Sequence, residues 1–154
     1  MRILVDADAC PMIYSIEQVA KEKKLEVILF KDVNHELQSD YSKIVTVGVG
    51  ANAADIALVN ECRKGDIVIT SDSGLVTLAM SRGAYVINGQ GTIYTDEKLD
   101  MILAEKYMSD IAKRNNQRFK KRKKQKKKKT CKFQFRDNFI NTVELIQAGK
   151  VSNH

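Results

Sequence analysis

At 154 residues, 44% of them hydrophobic, the chain is long enough for one domain with its own core. No apolar run approaches the ~20 residues of a membrane span, the N-terminus turns polar too early for a signal peptide, and Cys10, Cys62 and Cys131 form neither a zinc pattern nor a disulfide framework. The net charge of +7 is uneven: Lys113 to Lys132 holds 13 of the 26 Lys and Arg and no Asp or Glu, leaving 13 basic against 19 acidic residues, a body of net −6.

These features predict a reduced, cytoplasmic protein with no membrane partner. A first strand is expected over Arg2–Asp6. Pro11 suits the first turn of the next helix, where its missing N–H has no intrahelical partner. Ile13, Ile16, Val19 and Ala20 carry that helix to about Lys24. "LEVILF" (Leu25–Phe30) and "KIVTVGV" (Lys43–Val49) are the second and third strands. "AADIALVNECR" (Ala53–Arg63) is helical, with Ile56, Val59 and Cys62 facing inward. Gly65-Asp66 turns the chain into "IVIT" (Ile67–Thr70), then "SGLVTLAMSR" (Ser73–Arg82) is a helix and "AYVI" (Ala84–Ile87) a fifth strand. This alternation predicts an α/β protein, a three-layer α/β/α fold around a mostly parallel sheet. After a Gly-containing loop, Thr95 caps a helix with Asp96 and Glu97 in its first turn. The low-complexity stretch "KKRKKQKKKK" (Lys120–Lys129) follows, and Phe135–Gln147 reads as a final amphipathic helix. The expected organisation is an α/β domain over 1–112, a Lys/Arg-rich segment over 113–132, and a C-terminal helix within 133–154 packing on the same domain.

Open α/β sheets bind ligands at the carboxyl ends of their strands. Asp6 and Asp8 follow the first strand and Asp72 follows the fourth. They converge if those strands are neighbours. Asp55, early in its helix, aims a fourth carboxylate at the same end. Clustered carboxylates repel unless a cation is present. Hard oxygen ligands suit Mg²⁺ or Mn²⁺, which polarise phosphoryl groups and activate water, and nearby helix starts favour phosphate. Singly, each aspartate also fits a turn or N-cap, and Asp66, at the opposite end, is expected to be such a turn residue. Together they make a metal site the better reading, with Asp6, Asp8 and Asp72 as metal ligands and Asp6, Asp8, Asp55 and Asp72 as the catalytic set. Thr70 and Ser71 are supporting candidates, although strand-end hydroxyls also bond the local backbone.

"VDADACP", "AADIALV", "GDIVITSDSGLVTLA" and "GTIYT" (Gly91–Thr95), in that order and spacing, resemble the bacterial YaiI/YqxD family, and "FRDNF" resembles its last block. The match covers nearly the full length. That family is regarded as PIN-like, related in fold to PIN-domain ribonucleases and flap-type nucleases. The resemblance therefore implies a PIN-like fold and metal-dependent nuclease chemistry. Asp6 corresponds to the first-strand aspartate of PIN-like nucleases, Asp72 to their T-x-D block, and Asp8 and Asp55 to acidic positions of the family. "GANAAD" (Gly50–Asp55) departs from the pattern, with Asn52 where an acid is expected. Asn52 offers a carbonyl oxygen without charge, which implies weaker metal affinity or a place behind the ligands. PIN-like domains often pair, so a homodimer is among the expectations.

Cys10 lies beside the acids, but no histidine is near in sequence to act as its base, so packing is the favoured role. His35 falls in a loop. Tyr94 fits packing better than base stacking. In the basic run, Lys120, Lys121, Arg122, Lys123 and Lys124 are expected to contact a nucleic-acid backbone, with only Phe119 and Phe133 nearby to stack bases. The bland alternative is a solvated linker. The favoured function is a Mg²⁺- or Mn²⁺-dependent nuclease acting on RNA. The alternatives are a non-catalytic nucleic-acid-binding protein and a phosphatase of the haloacid-dehalogenase kind. The latter also uses Asp-x-Asp after the first strand but needs an acidic pair absent after "AYVI".

Overall fold

The computed structural model describes residues 1–48, 50, 52–115 and 132–151. Its strands are β1 (Arg2–Asp6), β2 (Glu26–Asp32), β3 (Lys43–Val47), β4 (Ile67–Ile69) and β5 (Tyr85–Ile87). Its helices are α1 (Ile13–Lys23), α2 (Ala53–Glu61), α3 (Ser73–Ser81), α4 (Asp96–Arg114) and α5 (Lys132–Gln147). The sheet order is β3-β2-β1-β4-β5, and every pair is parallel.

Side chains alternate across a strand, so each strand feeds two cores. Ile3 and Val5 of β1, with Val27, Leu29, Ile67 and Ile69, meet Ile16 and Val19 of α1 and Phe135, Phe139 and Val143 of α5. Leu4, Ile28, Phe30 and Val68 face the other way, against Leu58 and Val59 of α2, Leu75 and Val76 of α3, and Leu99 of α4. The result is the three-layer α/β/α arrangement that the short β-branched strands predict. No helix among the described residues is long and apolar enough to cross a membrane.

Two local expectations are corrected. Pro11 lies in the turn ahead of α1, which begins at Ile13. Ile56 is 58% exposed, whereas Leu58, Val59 and Cys62 are buried. The buried residues are Leu58 and Val59 of α2 and its C-cap Cys62, and Asp55, one turn earlier on that face, is half-buried. Ile56 sits about 100° round from Asp55, so the helix turns Asp55 inward.

Helix α5 closes the first core. Phe135 and Phe139 stack with ring centroids 5.5 Å apart. Lys23 pairs with Glu144 at 2.9 Å, and Arg136 with Glu22 at 2.8 Å, tying α5 to α1. The loop after β5 docks on α5 at Gly91, whose φ is +84°. A Cβ there would lie 2.7 Å from the Phe135 carbonyl oxygen, and the Thr142 hydroxyl donates to the Gly91 carbonyl at 2.8 Å. Only glycine permits that approach.

At the amino end of the sheet, Asp66 is 4% exposed. Its carboxylate accepts from the Arg2 guanidinium at 2.7 Å and from the Arg63 backbone N–H at 3.0 Å. Arg2 also donates to Glu61 Oε1 at 2.7 Å. Asp66 is therefore a turn residue that anchors β1 to the α2–β4 connection. Asp66→Ala leaves Arg2 without its buried partner and is expected to cost about 3 kcal/mol, read as a lower urea midpoint at unchanged slope. A near-neutral change would give this network only the worth of a surface pair.

Candidate metal centre

Strands β1 and β4 are neighbours, and the chain leaves them in opposite directions, β1 toward β2 and β4 toward β5. That reversal opens a crevice beyond their carboxyl ends, the usual ligand site of such sheets. Asp6 is the last residue of β1, and Asp72 is the N-cap of α3, just after β4. Asp8 lies in a single 3-10 turn, Ala7–Ala9, that follows β1. Asp55 is in the first turn of α2.

These carboxylates are held differently. Asp72 Oδ1 accepts from the Leu75 N–H at 3.0 Å, and the Asp72 N–H donates to Thr70 Oγ1 at 3.2 Å. Thr70, 4% exposed, therefore shapes the strand end. Ser71 is exposed beside Gly89. Asn52 is also exposed, in the left-handed region at φ 62°, and its side chain does not cap α2. Asp6 is 8% exposed. Among the described residues its carboxylate takes part in no hydrogen bond or ion pair.

The electrostatics follow. Burial first, then the charges of Asp55, Asp8 and Asp72, push Asp6 up to about 6. Burial, Asp72 and Asp8 also raise Asp55. The four aspartates thus share one electrostatic neighbourhood. Even so, no three of them bring ligand atoms within 4.8 Å of one another; among the described residues only Asp8, Asp32 and His35 do.

Sequence reasoning passed over Asp32 and His35. Asp6 pairs in register with Phe30, so two residues further on Asp8 stands beside Asp32, the last residue of β2. Asp8 Oδ2 accepts from the Asp32 N–H at 3.1 Å. His35 Nδ1 lies 2.8 Å from Asp32 Oδ1 and 3.2 Å from Asp8 Oδ1. The hydrogen bond to His35 lowers the Asp32 pKa, and Asp32, then Asp8, raises that of His35. The available signal was a strand ending in aspartate with histidine three residues later, "DVNH".

Burial, with Asp6 adding to it, pushes the Cys10 thiol up, which opposes thiolate chemistry there. Tyr94 packs against the second core. Lys120, Lys121, Arg122, Lys123 and Lys124 lie outside the described residues.

Comparison with known proteins adds a lineage. The profile of the family described as "Uncharacterized BCR, YaiI/YqxD family" matches residues 4–144. A UPF0178 protein of Clostridium tetani is 49% identical over 115 residues, 75% of this chain and 79% of the relative. Another, from Clostridium acetobutylicum, is 45% identical over 114 residues, 74% and 77% of the two chains. A third, from Alkaliphilus oremlandii, is 41% identical over 121 residues, 79% and 78%. No solved structure matches the chain significantly.

An acid whose folded pKa is raised stabilises the fold only while protonated. The contribution of Asp6 is full below its unfolded pKa of about 3.9 and is lost as pH rises through about 6. In EDTA-treated buffer, Asp6→Asn is therefore expected to be more stable than wild type at pH 7.5, by roughly 2 kcal/mol. The advantage should vanish near pH 3.5. Urea denaturation across that range measures it; a pH-independent difference would show that Asp6 titrates normally.

Proposed function

The chain belongs to the YaiI/YqxD family, and we propose that it is a divalent-metal-dependent phosphodiesterase that hydrolyses nucleic acid, with RNA the favoured substrate. One observation carries this reading: Asp6, a residue only 8% exposed whose carboxylate has no hydrogen-bond or ion-pair partner among the described residues, lies in the electrostatic field of three further aspartates. Burying an unpaired charge is costly, and an arrangement that raises the cost with more negative charge suits a cation.

The donor chemistry suits Mg²⁺ or Mn²⁺, and three of these carboxylates would have to draw together to share one ion. The donors are hard carboxylate oxygens, and among the described residues no Lys or Arg forms an ion pair with Asp6, Asp55 or Asp72. Asp6, Asp8 and Asp72 are the residues that would hold the ion. When bound, it supplies Lewis-acid polarisation of a phosphoryl oxygen and lowers the pKa of water.

The chain's own groups do the rest. Asp55, in the first turn of α2 and in the field of Asp72 and Asp8, is placed to accept the proton of the attacking water. The first-turn N–H groups of α2 and α3 favour a phosphate at the crevice. Asp72 sets the start of α3 through its bond to the Leu75 N–H. The body of net −6 would repel a polyanion. Lys120, Lys121, Arg122, Lys123 and Lys124, within the basic run, offset that by contacting phosphates.

A second reading, a non-catalytic nucleic-acid-binding protein, is favoured by one residue. Asn52, exposed and capping nothing, stands where an acid was expected.

The two readings separate in one assay. End-labelled single-stranded RNA and DNA are incubated with the protein in Mg²⁺, Mn²⁺ or EDTA. The nuclease reading expects cleavage only with a divalent ion. Asp6→Asn and Asp72→Asn should slow it on the order of 100-fold while gel shifts show RNA binding retained. Binding without metal-dependent cleavage in wild type supports the second reading instead.

A further inference from the structure

Beside the carboxylate cluster lies a group of different chemistry. His35 Nδ1, Asp32 Oδ1 and Asp8 Oδ1 face one another, and ligand atoms of the three residues all lie within 4.8 Å. We propose that Asp8, Asp32 and His35 form a mixed nitrogen–oxygen site for a divalent transition ion of the Mn²⁺ to Zn²⁺ class, sharing Asp8 with the carboxylate cluster and discriminating against Mg²⁺.

The argument begins with distance. An ion about 2.1 Å from each of two ligands holds them about 3.0 Å apart at a right angle and about 3.4 Å apart at a tetrahedral angle. His35 Nδ1 already stands 2.8 Å from Asp32 Oδ1 and 3.2 Å from Asp8 Oδ1. Replacing the proton between ring and carboxylates by an ion therefore asks for little movement.

The ligands are also oriented in advance. The register of β1 on β2 sets Asp8 beside Asp32. The Asn34 N–H donates to Asp32 Oδ1 at 2.8 Å, and the Asp32 N–H to Asp8 Oδ2 at 3.1 Å. Lys31 Nζ donates to the His35 carbonyl at 2.6 Å, pinning the loop that carries the imidazole. Bonds from the backbone that fix a ligand carboxylate are what a preorganised metal site requires. The side chains are 57%, 33% and 22% exposed for His35, Asp32 and Asp8, so an ion can enter and keep waters.

Asp8 also belongs to the carboxylate cluster, where it and two other aspartates act on Asp6, so the mixed site adjoins a concentration of negative charge. Ligand identity then sets selectivity. Mg²⁺ prefers an all-oxygen shell, whereas imidazole suits the transition ions. The inference rests on the reading of the carboxylate cluster as a cation site and specifies which cations the enlarged site retains.

The test uses the full chain, with Mn²⁺ and Mg²⁺ as probes. Calorimetry measures both affinities, and electron spin-echo modulation of the Mn²⁺-loaded protein reports nitrogen coordination. Wild type is expected to bind Mn²⁺ about ten-fold more tightly than Mg²⁺ and to show ¹⁴N coupling. His35→Ala, at an exposed side chain, should lose the coupling and about ten-fold of the Mn²⁺ affinity while leaving Mg²⁺ affinity unchanged. Asp6→Asn, measured in parallel, reports on the carboxylate cluster. Cation binding that depends on Asp6 but shows no nitrogen coupling overturns this inference and leaves the nuclease reading standing. Absence of binding by either ion at millimolar concentration overturns both.

Discussion

The structure turns on one unfavourable interaction, the burial of Asp6 at the end of β1 in the field of three other aspartates. A buried carboxylate normally neutralises itself with a base or a set of N–H donors. Here Asp72 spends one oxygen on the α3 cap, and Asp8 turns both oxygens toward Asp32 and His35. Neither offers Asp6 a proton or a positive charge. The strand that positions Asp6 is itself firmly held. It is central in the sheet, covered on both faces, and anchored at its other end by the Arg2–Asp66 pair. The backbone at Asp6 therefore has little freedom to relieve the repulsion. Such a carboxylate, at the end of the sheet where open sheets bind ligands, is the feature on which the proposed cation site rests.

The two ends of the sheet treat charge oppositely. At the amino end, Asp66 is buried with a guanidinium and a backbone donor, and its role is structural. At the carboxyl end, Asp6 is buried with like charges. Two aspartates of similar burial, one ending β1 and one just before β4, thus meet opposite surroundings, and their partners make the difference. The same contrast runs along the chain at larger scale, where a body of net −6 is joined to a segment holding half of all basic residues. An acidic crevice alone discourages nucleic acid, and a basic segment alone binds it without chemistry. On the proposed function, joining the two in one chain would let the basic segment offset the repulsion between the acidic body and a polyanion.

Much of this was legible in the sequence, because the signals are local. Alternating apolar runs and helical spacings need no knowledge of distant residues, and the three-layer α/β/α architecture with its parallel sheet follows from them. Thr95 as a cap, Asp66 as a turn residue and the strand-end positions of Asp6 and Asp72 are local in the same sense. The motifs around "DADACP" and "ITSD" carried the family.

Only the tertiary structure decided which of these pieces meet. The adjacency of β1 and β4 depends on pairing across more than sixty residues, and no periodicity encodes strand order. The approach of Asp32 and His35 to Asp8 depends on the β1–β2 register, which a reader of the chain cannot count before the strand bounds are known. The turning of Asp55 inward and Ile56 outward is a rotation of about 100°, set by what α2 packs against; both residues fit a helix equally well by themselves. By itself, then, the sequence determined the inventory of elements and the ends at which its acids lie. Long-range packing decided which carboxylates repel, which one is buried without a partner among the described residues, and which histidine joins them.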